Sequence, residues 1–186
     1  MTAHRTTNGL TLGFLTIVED DQHGAFGGLL VLNATGRPLE FHCTTPVKAN
    51  RAQEILYGPT LRPYLHGELI GGALTAKAAS PPGLLCVDRA ELLAVRPQVE
   101  APVVLVADDD SDTPTGQPDS LRVDSPQGIA APQWFQLGPY RLAAHAAFAD
   151  DREAAMARLA PLADFDLREP FGRIREAIEE AQRGHR

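Results

Sequence analysis

The pattern of hydrophobic and polar positions in the first forty residues predicts three consecutive β-strands. Leu10 to Val18 is apolar and rich in strand-forming residues, and Gly27 to Asn33 is a second run of this kind. Gly36 lies in the short loop that follows and supplies the glycine that a hairpin needs. Beyond it the positions alternate, with apolar Leu39, Phe41 and Cys43 opposite polar Glu40, His42 and Thr44. The sequence therefore predicts an antiparallel meander whose third strand buries its apolar face, with Cys43 in the core.

After Pro46 the apolar residues recur at helical spacing. This helical region runs from Ala52 to about Ala78 and is broken at Gly58-Pro59, because proline removes a backbone donor. Ser80-Pro81-Pro82-Gly83 ends it. Two short apolar runs, at 84–87 and 103–106, predict buried strands, and a helical turn is expected between them.

The last third of the chain predicts a loop, a strand and two helices. Residues 108–127 are acidic and rich in Pro, Ser, Thr and Gly, which is typical of a mobile surface loop. A further strand is expected within 133–142 and two helices within 150–183. The first helix is predicted to begin with Asp150 as its N-cap, and the second near Pro170. We therefore expect residues 1–186 to form a single domain of mixed α and β structure.

Composition narrows the classes of protein that fit this pattern. The 186 residues are 44% hydrophobic, which is enough for one core and not for two. The net charge of −7 favours solubility and opposes broad binding to nucleic-acid phosphates. Two cysteines imply no disulfide framework and favour a reducing compartment such as the cytoplasm. No apolar run reaches the roughly 20 residues that a membrane span needs.

Acidic residues follow two of the predicted strands, and this points to a site. If the fourth strand lies parallel beside the first, the carboxyl ends of both strands meet at one edge of the sheet, where α/β proteins bind ligands. Asp20 and Asp21 follow the first strand, Asp88 follows the fourth, and Glu54 lies early in the helix that starts at that edge. Converging carboxylates need a cation, and hard oxygen ligands select Mg²⁺ or Mn²⁺. Such ions support in-line attack on a phosphodiester.

In these features the chain resembles the ribonuclease H-like superfamily of nucleases. The resembling residues are Val18-Glu19-Asp20-Asp21, Asn50-Arg51-Ala52-Gln53-Glu54 and Val87-Asp88. The resemblance covers roughly residues 10–106, with one further point at Asp151. It implies a ribonuclease H-like fold, Mg²⁺ or Mn²⁺ as cofactor and cleavage or processing of a nucleic acid. The catalytic residues would be Asp20, Glu54, Asp88 and Asp151, and the metal ligands would be Asp20, Asp21, Glu54 and Asp88.

A non-catalytic protein-binding module is the alternative. The same meander and helix suit longin-like or profilin-like adaptors, which hold a protein partner at a sheet edge or on a helix. The helical segment 51–78 carries more apolar side chains than one core requires, which is typical of a docking surface. Each acidic residue also has a structural interpretation: a turn acceptor for Asp20 and Asp21, a solvated helix position for Glu54, a helix N-cap for Asp88 and first-turn electrostatics for Asp151.

Overall fold

Strands and helices follow one another in the order that the hydrophobic pattern predicts. The computed structural model describes residues 9–107 and 131–184, so the predicted acidic loop at 108–127 lies outside the described residues. The strands are β1 (Thr11–Asp20), β2 (Gly24–Asn33), β3 (Pro38–Cys43), β4 (Leu84–Val87), β5 (Val103–Val106), β6 (Gln133–Leu137) and β7 (Tyr140–Ala144). The α-helices are α1 (Arg51–Tyr57), α2 (Gly72–Lys77), α3 (Asp150–Leu159) and α4 (Glu169–Arg183). Other helical segments are a π-helix at Pro63–Gly71 and 3₁₀ segments at Gly58–Thr60, Ala90–Gln98 and Ala160–Leu162.

Within the described residues the seven strands form one mixed sheet in the order β3-β2-β1-β4-β5-β7-β6. β1, β2 and β3 form the antiparallel meander. β4 lies parallel beside β1, with Val87 opposite Leu15, and β5 lies parallel beside β4. The mixed α/β fold class, the meander and the parallel fourth strand are therefore confirmed. The single strand expected within 133–142 is a hairpin of β6 and β7, turned at Gly138, whose φ of +56° favours glycine.

Helical segments cover both faces of the central strands, so β4 and β5 are buried throughout and β1 is buried continuously from Leu12 to Ile17 instead of alternating. On one face Leu12 and Phe14 of β1 pack with α3 and α4, including Phe171 and Ile174. On the other face Leu15 and Ile17 pack beneath the π-helix and the 3₁₀ segment Ala90–Gln98. β1 is thus flanked by β2 and β4 and covered on both faces, and lies in the interior of the described sheet.

Two consecutive glycines of β2 allow this three-layer packing. A Cβ atom on Gly27 would lie 2.2 Å from Cγ2 of Ile70 in the π-helix. A Cβ atom on Gly28, which faces the other side, would lie 2.2 Å from Cγ2 of Ile174 in α4. Helices therefore approach the backbone of β2 from opposite sides at neighbouring residues.

The predicted buried face of β3 is wrong. Leu39 and Phe41 are 47% and 40% exposed, and Cys43 is also exposed. The opposite face is the better covered one, because Glu40 accepts hydrogen bonds from the backbone amides of Ala79 (2.9 Å) and Ser80 (2.6 Å), which follow α2. β3 is an edge strand that the helices do not cover, so its alternation marks two faces without showing which of them is packed.

The helical boundaries agree with their sequence signals. The break predicted at Gly58-Pro59 is confirmed, because α1 ends at Tyr57 and a 3₁₀ turn follows. α4 ends before Gly184 as expected. The predicted N-cap of α3 is displaced by one residue, since Ala149 is the cap and Asp150 is the first helical residue. Among the described helices, none has both the length and the apolar character that crossing a membrane requires.

Candidate functional site

Asp88 is a buried carboxylate directly after β4. Its side chain is only 4% exposed. The Thr16 hydroxyl, on the neighbouring strand, donates a hydrogen bond of 2.7 Å to Oδ2, and the Arg175 guanidinium of α4 donates to the same oxygen. Burial raises the pKa of Asp88, against the opposing effect of these two partners. Its other oxygen, Oδ1, has no hydrogen-bond partner among the described residues.

Asp20 organises the turn between β1 and β2. Oδ1 accepts hydrogen bonds from the backbone N–H groups of Gln22 (2.9 Å) and His23 (2.8 Å), and it lies 2.8 Å from Nδ1 of the His23 ring. These bonds, led by the one from the His23 backbone, lower the pKa of Asp20. Asp20 follows Thr16 by four residues, which places it about 13 Å further along the strand from the level of Asp88. Asp21 is exposed in the same turn.

Glu54 lies on the surface of α1. Its carboxylate pairs with the Arg51 guanidinium at 3.0 Å, and both side chains are open to solvent. No residue of α1 is buried, so the helix does not press Glu54 against the sheet.

Asp151 is a buried structural partner of Arg96. Arg96 donates to both carboxylate oxygens, at 2.6 Å from Nε and 3.0 Å from Nη2. The backbone N–H of Val103 donates a third hydrogen bond of 3.1 Å. Val103 begins β5, whereas Asp88 follows the end of the parallel strand β4. Asp151 therefore lies at the opposite end of the sheet from Asp88.

The structure does not bring Asp20, Asp21, Glu54, Asp88 and Asp151 together. No group of three or more His, Cys, Asp or Glu side chains within residues 9–107 and 131–184 could hold a metal ion. A magnesium site needs oxygen ligands about 2.0–2.1 Å from the ion, but Asp88 is engaged by arginine and Asp151 is fully bonded. The donor set implied by the resemblance therefore does not fit a metal among the described residues.

A charged cluster that the sequence analysis missed lies on the other face of β1. His66 of the π-helix is buried between two carboxylates, with Nδ1 3.4 Å from Glu91 and Nε2 3.8 Å from Glu19. Glu19 also pairs with Arg89 at 3.3 Å and Arg62 at 3.5 Å. The hydrogen bond from His66 lowers the pKa of Glu91. These residues come from three segments distant in sequence, so spacing gave no signal for the cluster, which ties the π-helix to the end of β1.

A pocket of about 490 Å³ opens beside the turn that Asp20 organises. Its walls come from the start of β2, the segment that follows β3 and the last turns of α4. Cys43 lines it, in contrast to the core position predicted for this residue. The other cysteine, Cys86, is buried, and burial raises its pKa to about 12, which keeps the thiol protonated. Cys43 reaches the pocket because its face of β3 is the uncovered one, and the sequence did not show which face of β3 is uncovered.

The described chain is thus a mixed α/β protein with charged clusters around the end of β1. No protein-family model and no curated protein sequence matches it. Among solved structures it is similar to endonuclease V of Ciona intestinalis in complex with inosine-containing DNA, at 12% identity and a TM-score of 0.34 over 54% of this chain and 47% of that one. It is also similar to the catalytic domain of human endonuclease V, at 20% identity and a TM-score of 0.35 over 55% and 48%. The chain thus covers about half the length of these proteins, and the similarity concerns part of the fold.

Proposed function

We propose that this chain is a non-catalytic binding module that holds a protein partner against helix α1. One observation carries the proposal: none of the residues of α1 is buried, and its two large aliphatic side chains, Ile55 and Leu56, are 65% and 82% exposed. Two adjacent aliphatic residues this exposed on a helix outside the core are typical of a surface that another protein covers. The π-helix adds Leu69, which is also exposed.

Helix α1 is formed in advance of binding. Asn50 and Gln53 make a capping box, in which each side chain accepts a hydrogen bond from the backbone of the other, at 2.9 and 3.0 Å. The ring of Tyr57 stacks on that of Tyr64 with the centroids 4.4 Å apart, which joins the end of α1 to the π-helix. A preformed helix loses little conformational entropy on binding, so more of the burial energy contributes to affinity.

Burying Ile55 and Leu56 in an interface would contribute a large part of the binding free energy. Fully burying an exposed leucine or isoleucine stabilises a complex by about 1.5–3 kcal/mol. Ile55 and Leu56 together would therefore account for a hundredfold or more in affinity, on the order of 3 kcal/mol. Inside the free protein they contribute little, because they contact solvent.

The test compares Ile55→Ala/Leu56→Ala with a matched variant, Leu39→Ala, which removes an exposed aliphatic side chain from β3. Alanine preserves the helix, so both variants should melt within a few degrees of the wild type. Proteins retained by each form are identified by mass spectrometry after affinity purification, and self-association is measured by light scattering. We expect the α1 variant alone to lose a partner, or alone to dissociate if the partner is a second copy. Identical retained proteins and identical masses for all three forms would refute the proposal.

Metal-dependent nuclease activity is the second candidate, and the parallel neighbours β1 and β4 are the observation that favours it. A bound ion would stabilise the folded state, so Mg²⁺ or Mn²⁺ would raise the melting temperature, and Glu54→Gln would abolish that rise. Because Arg175 occupies Asp88 and the other acidic residues lie apart, we expect neither a rise nor cleavage of labelled single- or double-stranded DNA or RNA. Metal-dependent cleavage that Asp88→Asn abolishes would establish the nuclease and overturn the non-catalytic proposal.

A further inference from the structure

The pocket beside the turn between β1 and β2 has apolar walls and a polar rim. The apolar walls are the side chains of Phe26, Pro46, Ile178 and Ala181. The rim consists of Asp20, His23, Cys43, Thr44, Thr45 and Gln182. A pocket of about 490 Å³ with such a lining is within the usual size range of sites for small organic molecules.

The walls of this pocket are held in place by the backbone. Residues 44–47 run along the start of β2, with hydrogen bonds in both directions between Ala25 and Val47, at 2.8 and 2.9 Å. Gly24 permits this approach, because its φ is +102° and a Cβ atom there would lie 2.5 Å from the carbonyl oxygen of Val47. The third wall is α4, which packs on the sheet through Ile174 and Ile178. The pocket therefore exists before any ligand binds.

The charge of the lining has one sign. Asp20 is the only carboxylate in the lining, and no Lys or Arg belongs to it among the described residues. The hydrogen bonds to Asp20 favour its ionised form. When the His23 ring carries one proton, the contact of Nδ1 with Asp20 places that proton on Nδ1, so Nε2 is an acceptor. Ile178, Ala181 and Gln182 belong to the last turns of α4, where the helix dipole is negative.

The basic residue that follows the pocket lining in α4 is paired with carboxylates. Arg183, which follows Gln182 in α4, pairs with Glu180 at 3.3 Å and Glu179 at 3.6 Å. The lining thus offers a carboxylate, an imidazole nitrogen and hydroxyl oxygens as acceptors around an apolar floor. Such a site repels anions and favours a ligand that brings positive charge and hydrogen-bond donors.

We propose that this pocket binds a small organic cation, with its apolar body against Phe26 and Ile178 and its protonated amine at Asp20 and Nε2 of His23. The presence of the Phe26 ring in the lining favours the same sign of charge, since cations are attracted to aromatic rings. The site is independent of the α1 surface, so Ile55→Ala/Leu56→Ala should leave it unchanged. The proposal of a cation site can therefore fail or succeed independently of the proposed function.

The test uses three probes of similar shape: phenethylamine, which is a cation, phenethyl alcohol, which is neutral, and hydrocinnamate, which is an anion. Binding is followed by the NMR signals of the His23 ring and of the backbone amides of Cys43, Thr44 and Thr45. We expect saturable shifts with phenethylamine, weaker shifts with the alcohol and none with hydrocinnamate. Equal binding of the alcohol or of hydrocinnamate would overturn the proposal.

Variants locate the binding. Asp20→Asn keeps an oxygen that accepts the turn hydrogen bonds but removes the charge, so binding of phenethylamine should weaken about tenfold, a change of roughly 1.4 kcal/mol. Asp21→Asn makes the same charge change on a neighbouring residue outside the lining and should have no such effect. Ala181→Phe should fill the pocket and abolish the shifts while the fold is retained. Equal affinities in Asp20→Asn and Asp21→Asn, or undiminished binding in Ala181→Phe, would refute the assignment.

Discussion

The side chains of Asp88 and Asp151 are both buried, yet only Asp151 has hydrogen bonds to both of its carboxylate oxygens. Asp151 receives three hydrogen bonds that use both of its oxygens, and two of them come from one guanidinium. Asp88 receives its two bonds on a single oxygen, and the other oxygen has no partner among the described residues. A buried carboxylate with incomplete compensation is costly in its ionised form. The pH dependence of stability should therefore include a contribution from Asp88.

The first prediction concerns this pH dependence. Burial raises the pKa of Asp88 above the ordinary 3.8, so between 3.8 and the raised value the folded state binds more protons than the unfolded state. Its contribution to stability is therefore fully present below 3.8 and is lost as the pH rises through the raised pKa. Asp88→Asn removes the titration, so we expect the wild type to lose stability relative to this variant as the pH rises.

Urea unfolding of both forms at several pH values measures this difference. Asp164→Asn, a change at an exposed position, serves as the control and should follow the wild type. A difference between wild type and Asp88→Asn that stays constant with pH, or that changes in the opposite direction, would contradict the prediction.

The positions of the acidic residues could be predicted from the sequence, but their partners could not. An acidic residue after a strand could be located from the pattern, and Asp20 and Asp88 do follow β1 and β4 closely. The partners that decide their chemistry could not be located, because Arg175 lies 87 residues after Asp88 and Arg96 lies 55 residues before Asp151. The turn role expected of Asp20 in the structural interpretation was readable, since its bonds are made within three residues.

Among the individual elements, β2 is approached closely by both helical layers. The second prediction is that Gly27→Ala lowers the free energy of unfolding by about 1–3 kcal/mol, the usual cost of overpacking. The added methyl group would collide with Ile70 at 2.2 Å and with Leu74 at 2.8 Å, and both of these side chains are buried.

The matched control is Gly172→Ala in α4. A Cβ atom there meets nothing within 4 Å, and alanine is the better helix former, so this variant should gain up to about 1 kcal/mol. Both values come from chemical denaturation. Opposite signs for the two substitutions support the packing argument, and a neutral Gly27→Ala would contradict it.

The contrast between β1 and β3 explains which elements were predictable. Leu10 to Val18 is mostly apolar, so a strand was the simple interpretation, and the strand is confirmed as β1. β3 alternates, and the identity of its covered face depends on the loop after α2. There Glu40 binds two backbone amides and the ring of His42, and these bonds, led by the one from His42, lower its pKa to about 2. Hydrophobicity alone cannot predict that the face with the hydrogen-bonded Glu40 is covered while the face with Phe41 is exposed to solvent.

At the scale of the whole molecule, burial is concentrated in the centre of the sheet. The third prediction is that backbone amides of β1, β4 and β5 exchange with deuterium at least about a hundredfold more slowly than those of α1. The three strands are buried along most or all of their lengths, whereas α1 has no buried residue. Mass spectrometry of peptides covering these segments measures the rates. Equal protection of α1 and the strands in the free protein would contradict both this prediction and the view of α1 as an unoccupied surface.

The topology was predictable because it follows from local patterns and one rule of connection. Three apolar runs joined by short loops form a meander, and a helical crossover returns the chain parallel to β1. The surroundings of Asp88 were not predictable in the same way, since they depend on α4. The fold places this helix over the even-numbered residues Leu12 and Phe14 of β1. The net charge of −7 describes the whole sequence only. The electrostatic potential around Glu19 and Asp88 is decided by their pairing with Arg62, Arg89 and Arg175.

The position of α4 in the chain has a consequence for biosynthesis. Every described strand of the sheet leaves the ribosome before α4, which covers Phe14 and supplies the guanidinium for Asp88. At typical elongation rates the nascent sheet waits a few seconds for α4, with part of one apolar face uncovered and the Asp88 carboxylate without Arg175. Emergence of α4, and not the pairing of strands, then becomes the event that completes the packing of this face, and chaperones that shield apolar segments would act in that interval.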